Sequence, residues 1–74
     1  MIKPLRQRFG ERIRELRVAA GYSQEAFADH VGYARSYMSR VERGSGNPSL
    51  DAIEAFAAAL KIDVAELFVH SKKR

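Results

Sequence analysis

Residues 24–41 read QEAFADHVGYARSYMSRV, and this stretch decides the fold of the chain. It divides at Gly32 into two segments that each place their apolar residues at helical spacing. We predict a helix over residues 24–31 and a second helix from about residue 34 or 35 to residue 43. The second helix has one apolar side and one polar side. The polar side consists of Arg35, Ser36, Ser39, Arg40 and Arg43.

The sequence before this stretch predicts one longer helix, over residues 5–20. Its apolar residues recur at intervals of three and four, so they form one helix face. Gly21 follows as a C-terminal stop, because glycine tolerates the left-handed backbone found there. Ser23 is a predicted N-cap for the next helix. The predicted inner face consists of Leu5, Phe9, Ile13, Leu16 and Ala20.

The sequence after this stretch predicts two further helices. Ser49 is an expected N-cap for a helix over residues 50–60. Asp63 and Glu66 have the spacing of a capping box, which predicts a last short helix from residue 64 to 68 or 69. The inner stripe expected for the first of these helices consists of Leu50, Ile53, Phe56, Ala57 and Leu60.

These segments predict an all-α fold of five helices in a single domain, residues 1–74, with frayed ends at about residues 1–4 and 70–74. No run alternates with period two for long enough to predict a strand. The chain carries 13 Lys and Arg against 9 Asp and Glu, a net charge of +4. That excess favours a polyanionic partner such as double-stranded DNA, provided that the charges are clustered.

Several kinds of site are disfavoured by composition. There is no cysteine, so neither a disulfide nor a thiolate metal site can form. His30 and His70 are too few and too far apart in sequence for a zinc site. We therefore expect no metal, no cofactor and no small-molecule ligand. No apolar run approaches the length of a membrane span and the N-terminus does not resemble a secretory signal, so we expect no membrane contact and a cytoplasmic location.

Three classes of function remain to be compared. A sequence-specific regulator of transcription is favoured by the arginines on one helix face. A protein-binding module, such as an antitoxin that masks a toxin, would need a large exposed apolar patch or a disordered tail. An enzyme is disfavoured, because no Ser–His–acid set, metal cluster or phosphate-binding loop is visible in the sequence.

The central stretch resembles the helix-turn-helix proteins. Gln24, Ala28, Gly32, Met38 and Val41 stand at the positions where that family carries Gln, Ala, Gly and two aliphatic residues. The wider pattern, from SQE-x-FA through RSYMSRVERG to NPSLD, looks like the phage repressor and Cro-like domains of the xenobiotic-response-element family. Within it, RSYMS followed by VERGS also resembles the controller proteins of restriction–modification systems. The resemblance implies a lambda-repressor-like fold and a second helix that reads DNA.

The resemblance also implies roles for single residues. Arg17 and Glu42 match a buried ion pair that links the first predicted helix to the third. Gly46 stands where controller proteins often carry a loop arginine, and Ala34 stands where a helix-capping Asp or Thr is usual. Contacts to base edges are implied for Arg35, Ser36, Ser39 and Arg40. Contacts to the DNA backbone are implied for Gln24, Tyr37, Arg43 and Asn47.

A single reading helix covers few base pairs, and domains of this type pair on two-fold symmetric sites. The C-terminal part also holds more apolar residues than a domain of this size easily buries. We therefore expect a homodimer on a palindromic operator, the alternative being that these residues all pack internally. The expected interface consists of Ile62, Val64, Leu67 and Phe68.

Overall fold

A computed structural model of the chain describes residues 2–69. These residues form four α-helices followed by one 3-10 helix, and no strand occurs among them. The helices are α1 (Leu5–Ala19), α2 (Gln24–Val31), α3 (Arg35–Glu42), α4 (Leu50–Leu60) and the 3-10 helix (Val64–Phe68). Frayed ends were predicted at about residues 1–4 and 70–74. Of these, residue 1 and residues 70–74, including His70, lie outside the described part of the chain.

The fifth predicted helix is therefore not an α-helix. The Asp63 carbonyl oxygen accepts from the Glu66 N–H at 2.9 Å, which is the i to i+3 bond of a tighter helix. The Asp63 side chain accepts from the Ala65 N–H at 2.8 Å. The Glu66 side chain, which a capping box would turn back towards Asp63, instead pairs with Arg12 on α1 at 3.2 Å. The capping-box prediction was thus correct only for its aspartate.

The start of α2 and the start of α4 are capped by serine hydroxyls, as predicted. Ser23 Oγ accepts from the Ala26 N–H at 3.0 Å, and Ser49 Oγ accepts from the Ala52 N–H at the same distance. At the other end of α2, Gly32 has φ +83°, a left-handed conformation that most side chains avoid. These local signals place α2 and α4 at their predicted bounds.

The core forms where the four α-helices and the 3-10 helix meet. α3 packs against α1 and α2, whereas the 3-10 helix packs against α1 and α4. The backbone of α1 approaches that of α3 closely at Gly10, where an added Cβ would lie 2.8 Å from the Glu42 carbonyl oxygen and nearer still to that of Val41. The buried apolar residues are Phe9, Ile13, Phe27, Ala28, Met38, Val41, Ala52, Phe56, Ala57 and Leu67.

Three residues assigned to inner faces by periodicity lie outside the core. Leu5 and Leu50 are 55% and 83% exposed, and Ala20 is exposed as well. Leu5 and Leu50 are the first residues of their helices and Ala20 follows the last residue of α1. The prediction that these three residues are buried is wrong because periodicity gives the direction of a side chain but not how far the neighbouring element extends.

The expected dimer interface also needs one correction. Leu67 is 0% exposed, because it packs in the core of its own chain, so its side chain is not free to meet a partner. Val64 is 41% exposed and Phe68 is 44% exposed, and Ile62 is half-buried against the core. Among the helices of residues 2–69, none combines the length and apolar character needed to cross a membrane.

Candidate nucleic-acid interface

The outward side of α3 is polar and cationic. Arg35, Ser36 and Arg40 are exposed, and so is Arg43, which lies just beyond the last residue of α3 as its C-cap rather than inside the helix as predicted. Ser39 is half-buried, and its hydroxyl accepts a hydrogen bond from an Arg43 guanidinium nitrogen. We call these five residues the cationic face. On the other side of the helix, Met38 and Val41 are buried in the core. The predicted division of this helix into one solvent side and one core side is confirmed.

The acidic residue of α3 does not reduce the positive charge of this face towards solvent. Glu42 is buried and forms a two-point ion pair with Arg17: Nε to Oε2 at 2.6 Å and Nη2 to Oε1 at 3.0 Å. Arg17 also donates from Nη1 to the Tyr22 carbonyl oxygen at 2.7 Å. This pair, implied by the family resemblance, links α1 to α3 and neutralises the carboxylate. The cationic face therefore contains three guanidinium groups and no acid.

Gln24, at the start of α2, also contacts this buried pair. Its Nε2 donates to Glu42 Oε1 at 3.1 Å, so one amide N–H points inward. The amide nitrogen carries a second N–H, and the residue is half-buried rather than enclosed. Gln24 is therefore held by the ion pair and still has a donor for a phosphate oxygen.

Tyr37 lies at the edge of the cationic face. Its half-buried ring stacks on that of Tyr33, with the centroids 4.8 Å apart and an interplanar angle of 21°. Burial, and to a smaller extent Tyr33, raises the pKa of the Tyr37 phenol, while Arg40 opposes that rise. The hydroxyl is consequently protonated at neutral pH and can donate to an anionic oxygen. Tyr33 was not among the DNA-contacting residues predicted from the sequence.

The ends of α3 complete the surface. Ala34 is its N-cap and supplies no side-chain hydrogen bond, as expected from the missing Asp or Thr. After α3, Asn47 is exposed in the loop that leads to α4. In that loop, a Cβ at Gly46 would lie 3.2 Å from the Cα of Val41, so the loop backbone lies directly on α3. This close packing explains why glycine stands at position 46, which the sequence alone did not indicate.

Within residues 2–69 no group of His, Asp and Glu could hold a metal ion. The geometry defines a class of protein: two helices joined at a left-handed glycine, with the second helix clamped on the core and arginines on its free side. The chain belongs to the helix-turn-helix domain family, whose model matches residues 8–67.

Relatives by sequence include two control proteins. Control protein C.MunI from Mycoplasma sp is 39% identical over 67 residues, covering 89% of this chain and 90% of the relative. Control protein C.BamHI from Bacillus amyloliquefaciens is 37% identical over 68 residues, covering 90% and 84%. The transcriptional regulator SinR of Bacillus subtilis is 39% identical over 59 residues, which cover 78% of this chain but 53% of SinR.

Similar solved structures also include a controller protein and a transcriptional regulator. The restriction–modification controller protein C.AhdI from Aeromonas hydrophila has a TM-score of 0.82 at 51% identity, covering 85% of this chain and 96% of that protein. SinR, the master regulator for biofilm formation, was solved in complex with DNA and has a TM-score of 0.76 at 38% identity, covering 80% and 95%. These similar proteins are regulators and control proteins, not enzymes.

Proposed function

We propose that this chain is a sequence-specific DNA-binding regulator of transcription that binds a palindromic operator as a homodimer. The observation that carries the proposal is the cationic face: three exposed guanidinium groups and two serines on a helix whose other side is clamped on the core. Such a helix fits the major groove, where each base pair presents its own pattern of donors and acceptors. The favoured subtype is a restriction–modification controller, because of the similarity to C.AhdI, C.MunI and C.BamHI.

The proposed base contacts come from the cationic face. Arg35 and Arg40 suit guanine, since a guanidinium group can donate to O6 and N7 together. Ser36 and Ser39 would make less specific contacts, because a hydroxyl can donate or accept. The DNA backbone would be contacted by Gln24, Tyr37, Arg43 and Asn47. The positive charge of the face supports both kinds of contact, because each cation that meets a phosphate releases a counterion.

The proposed dimer uses the apolar surface of the 3-10 helix. Val64 and Phe68 are exposed there, and Ile62 lies half-buried beside the core. Two copies that meet through these residues would present two copies of α3. A two-fold operator with half-sites about one helical turn apart would match that symmetry. We also propose that residues 1–74 form one domain and that the chain is cytoplasmic, as suits a relative of the transcriptional regulator SinR.

In vitro selection of duplexes from a random pool tests this function most broadly. We expect a palindromic sequence to be enriched, with an affinity for it that falls steeply as salt rises. A scrambled duplex of the same length is the control, and it should bind weakly with a similar salt dependence. A pool that yields no common sequence, combined with tight binding to a protein partner, would favour the antitoxin-type alternative instead.

A further inference from the structure

Tyr33 lies in the turn between α2 and α3, and the proposed DNA contacts do not involve it. Its N–H donates to the Ala28 carbonyl oxygen at 3.0 Å, in the motif that ends α2 at Gly32. Its half-buried ring meets the fully buried ring of Phe56 edge-on, with the centroids 6.0 Å apart and an interplanar angle of 66°. Tyr33 is therefore held by α2 through its backbone and by the core through its ring.

The Tyr33 ring also contacts α3. Tyr37, in the first turn of α3, stacks on it almost in parallel at 4.8 Å. The Tyr37 phenol also lies within electrostatic reach of Arg40, a member of the cationic face. Tyr37 thus connects the core, through Tyr33 and Phe56, to the surface proposed to meet DNA.

We propose that Tyr33 is a positioning residue for DNA binding, because its ring fixes the plane of the Tyr37 ring and so directs the Tyr37 hydroxyl at a phosphate. A tyrosine at the edge of a helix surface can otherwise adopt more than one rotamer. Ordering such a side chain on binding costs conformational entropy, and a stacked ring is already ordered. The inference rests on the proposed function, since Tyr33 acts here only through a contact between Tyr37 and DNA.

Four variants separate the ring of Tyr33 from its hydroxyl. Tyr33→Phe keeps the ring, Tyr33→Leu removes it, Tyr37→Phe removes the proposed donor, and the last variant combines Tyr33→Leu with Tyr37→Phe. Binding is measured to the duplex obtained by selection with the unmodified chain and to its scrambled form. Tyr37→Phe should weaken binding about tenfold or more, the effect of losing a hydrogen bond to a charged group.

The expected pattern for Tyr33 follows from its indirect role. Tyr33→Phe should bind like the unmodified chain, and Tyr33→Leu should be weakened nearly as much as Tyr37→Phe. The double variant should bind no more weakly than Tyr37→Phe alone, because both changes remove the same contact. A role in stability alone would not produce this non-additivity in the affinity of the folded protein.

Tyr22→Leu is the matched control. Tyr22 is also half-buried and meets a buried ring, Phe27, edge-on at 5.3 Å and 68°, but it stacks on His30 rather than on a residue of α3. The Tyr22→Leu variant should lower the midpoint of thermal unfolding about as much as Tyr33→Leu does. Its affinity for the selected duplex should be unchanged at a temperature where the protein is folded. Should Tyr33→Leu not fold, Tyr33→Met replaces it, because an unbranched, flexible side chain adapts more easily to the space left by the ring.

Three results would overturn the inference while leaving the proposed function intact. Tyr33→Leu could bind normally although Tyr37→Phe binds weakly; Tyr33→Phe could be as weak as Tyr33→Leu, which would make Tyr33 itself a DNA contact; or the two losses could multiply in the double variant. If the unmodified chain does not prefer the selected duplex to the scrambled one, the proposed function fails, and this inference fails with it.

Discussion

Glu42 accepts hydrogen bonds from two other helices, from Arg17 on α1 and from Gln24 on α2. An unpaired carboxylate on α3 would repel the phosphates of DNA, but here it is buried and neutralised by a guanidinium group. Among residues 2–69, every buried side-chain nitrogen or oxygen has a hydrogen-bond partner. At the residue scale, the ion pair thus holds α1, α2 and α3 in place, and with them a residue proposed to contact phosphate.

Removing one member of this pair should destabilise the fold strongly. Arg17→Ala leaves the Glu42 carboxylate buried with only the amide of Gln24, which should lower the free energy of unfolding by about 3–5 kcal/mol. Urea denaturation followed by circular dichroism measures this loss. Arg14→Ala, an exposed arginine on the same helix, should leave the midpoint nearly unchanged. Equal effects of the two changes would show that the ion pair contributes no more to stability than an exposed arginine does.

Arg35 gives the sharpest prediction about recognition at the residue scale. Arg35→Ala should weaken binding to the selected duplex by about 1–3 kcal/mol and binding to scrambled DNA much less, because a base-edge contact exists only on the correct sequence. Gln24→Ala should weaken both alike, since a phosphate contact does not depend on sequence. Fluorescence anisotropy titrations with both duplexes measure this. If Arg35→Ala reduces both affinities equally, Arg35 contacts phosphate instead.

At the scale of elements, α1 and α3 cross with their backbones in contact at Gly10. We expect Gly10→Ala to lower the free energy of unfolding by about 1–3 kcal/mol, although alanine has the higher helix propensity, because its Cβ would collide with carbonyl oxygens of α3. Thermal denaturation tests this, with Val18→Ala at an exposed position of α1 as the control. A stabilised Gly10→Ala variant would mean that the helices separate at little cost.

How far the sequence predicts an element depends on whether its signals are local. Ser23, Gly32 and Ser49 act on their own backbone neighbourhood, so the bounds of α2 and α4 were predicted to the residue. The close approach at Gly10 was missed because it depends on a distant segment. The last helix was predicted as an α-helix but is a 3-10 helix. Its predicted capping box was wrong for Glu66 because that side chain pairs with Arg12, which is far away in the chain.

At the scale of the whole molecule, the two proposed surfaces lie on different elements. The cationic face belongs to α3, which packs on α1 and α2, and the apolar surface belongs to the 3-10 helix, which packs on α1 and α4. Dimerisation through the 3-10 helix therefore leaves α3 free. Within the predicted set, Leu67 could not be distinguished by sequence from Phe68, because a helix of five residues is too short to show which side faces the core.

The dimer prediction can be tested with two exposed valines. Val64→Glu should shift the chain from dimer to monomer in sedimentation velocity experiments at micromolar concentration, because a charge would be placed in an apolar interface. Val18→Glu, at an exposed position on α1, should sediment like the unmodified chain. Both variants should remain folded, since both side chains are exposed. A monomeric unmodified chain across the concentration range would contradict the homodimer.

Protection of guanine N7 from dimethyl sulfate on the selected duplex tests most directly that the cationic face reads bases in the major groove. We expect two symmetric sets of protected guanines about one helical turn apart. Arg35→Ala should remove protection at one guanine in each set and leave the others protected. Bound complexes in which guanine N7 reacts as in free DNA, or in which Arg35→Ala changes nothing, would contradict this account.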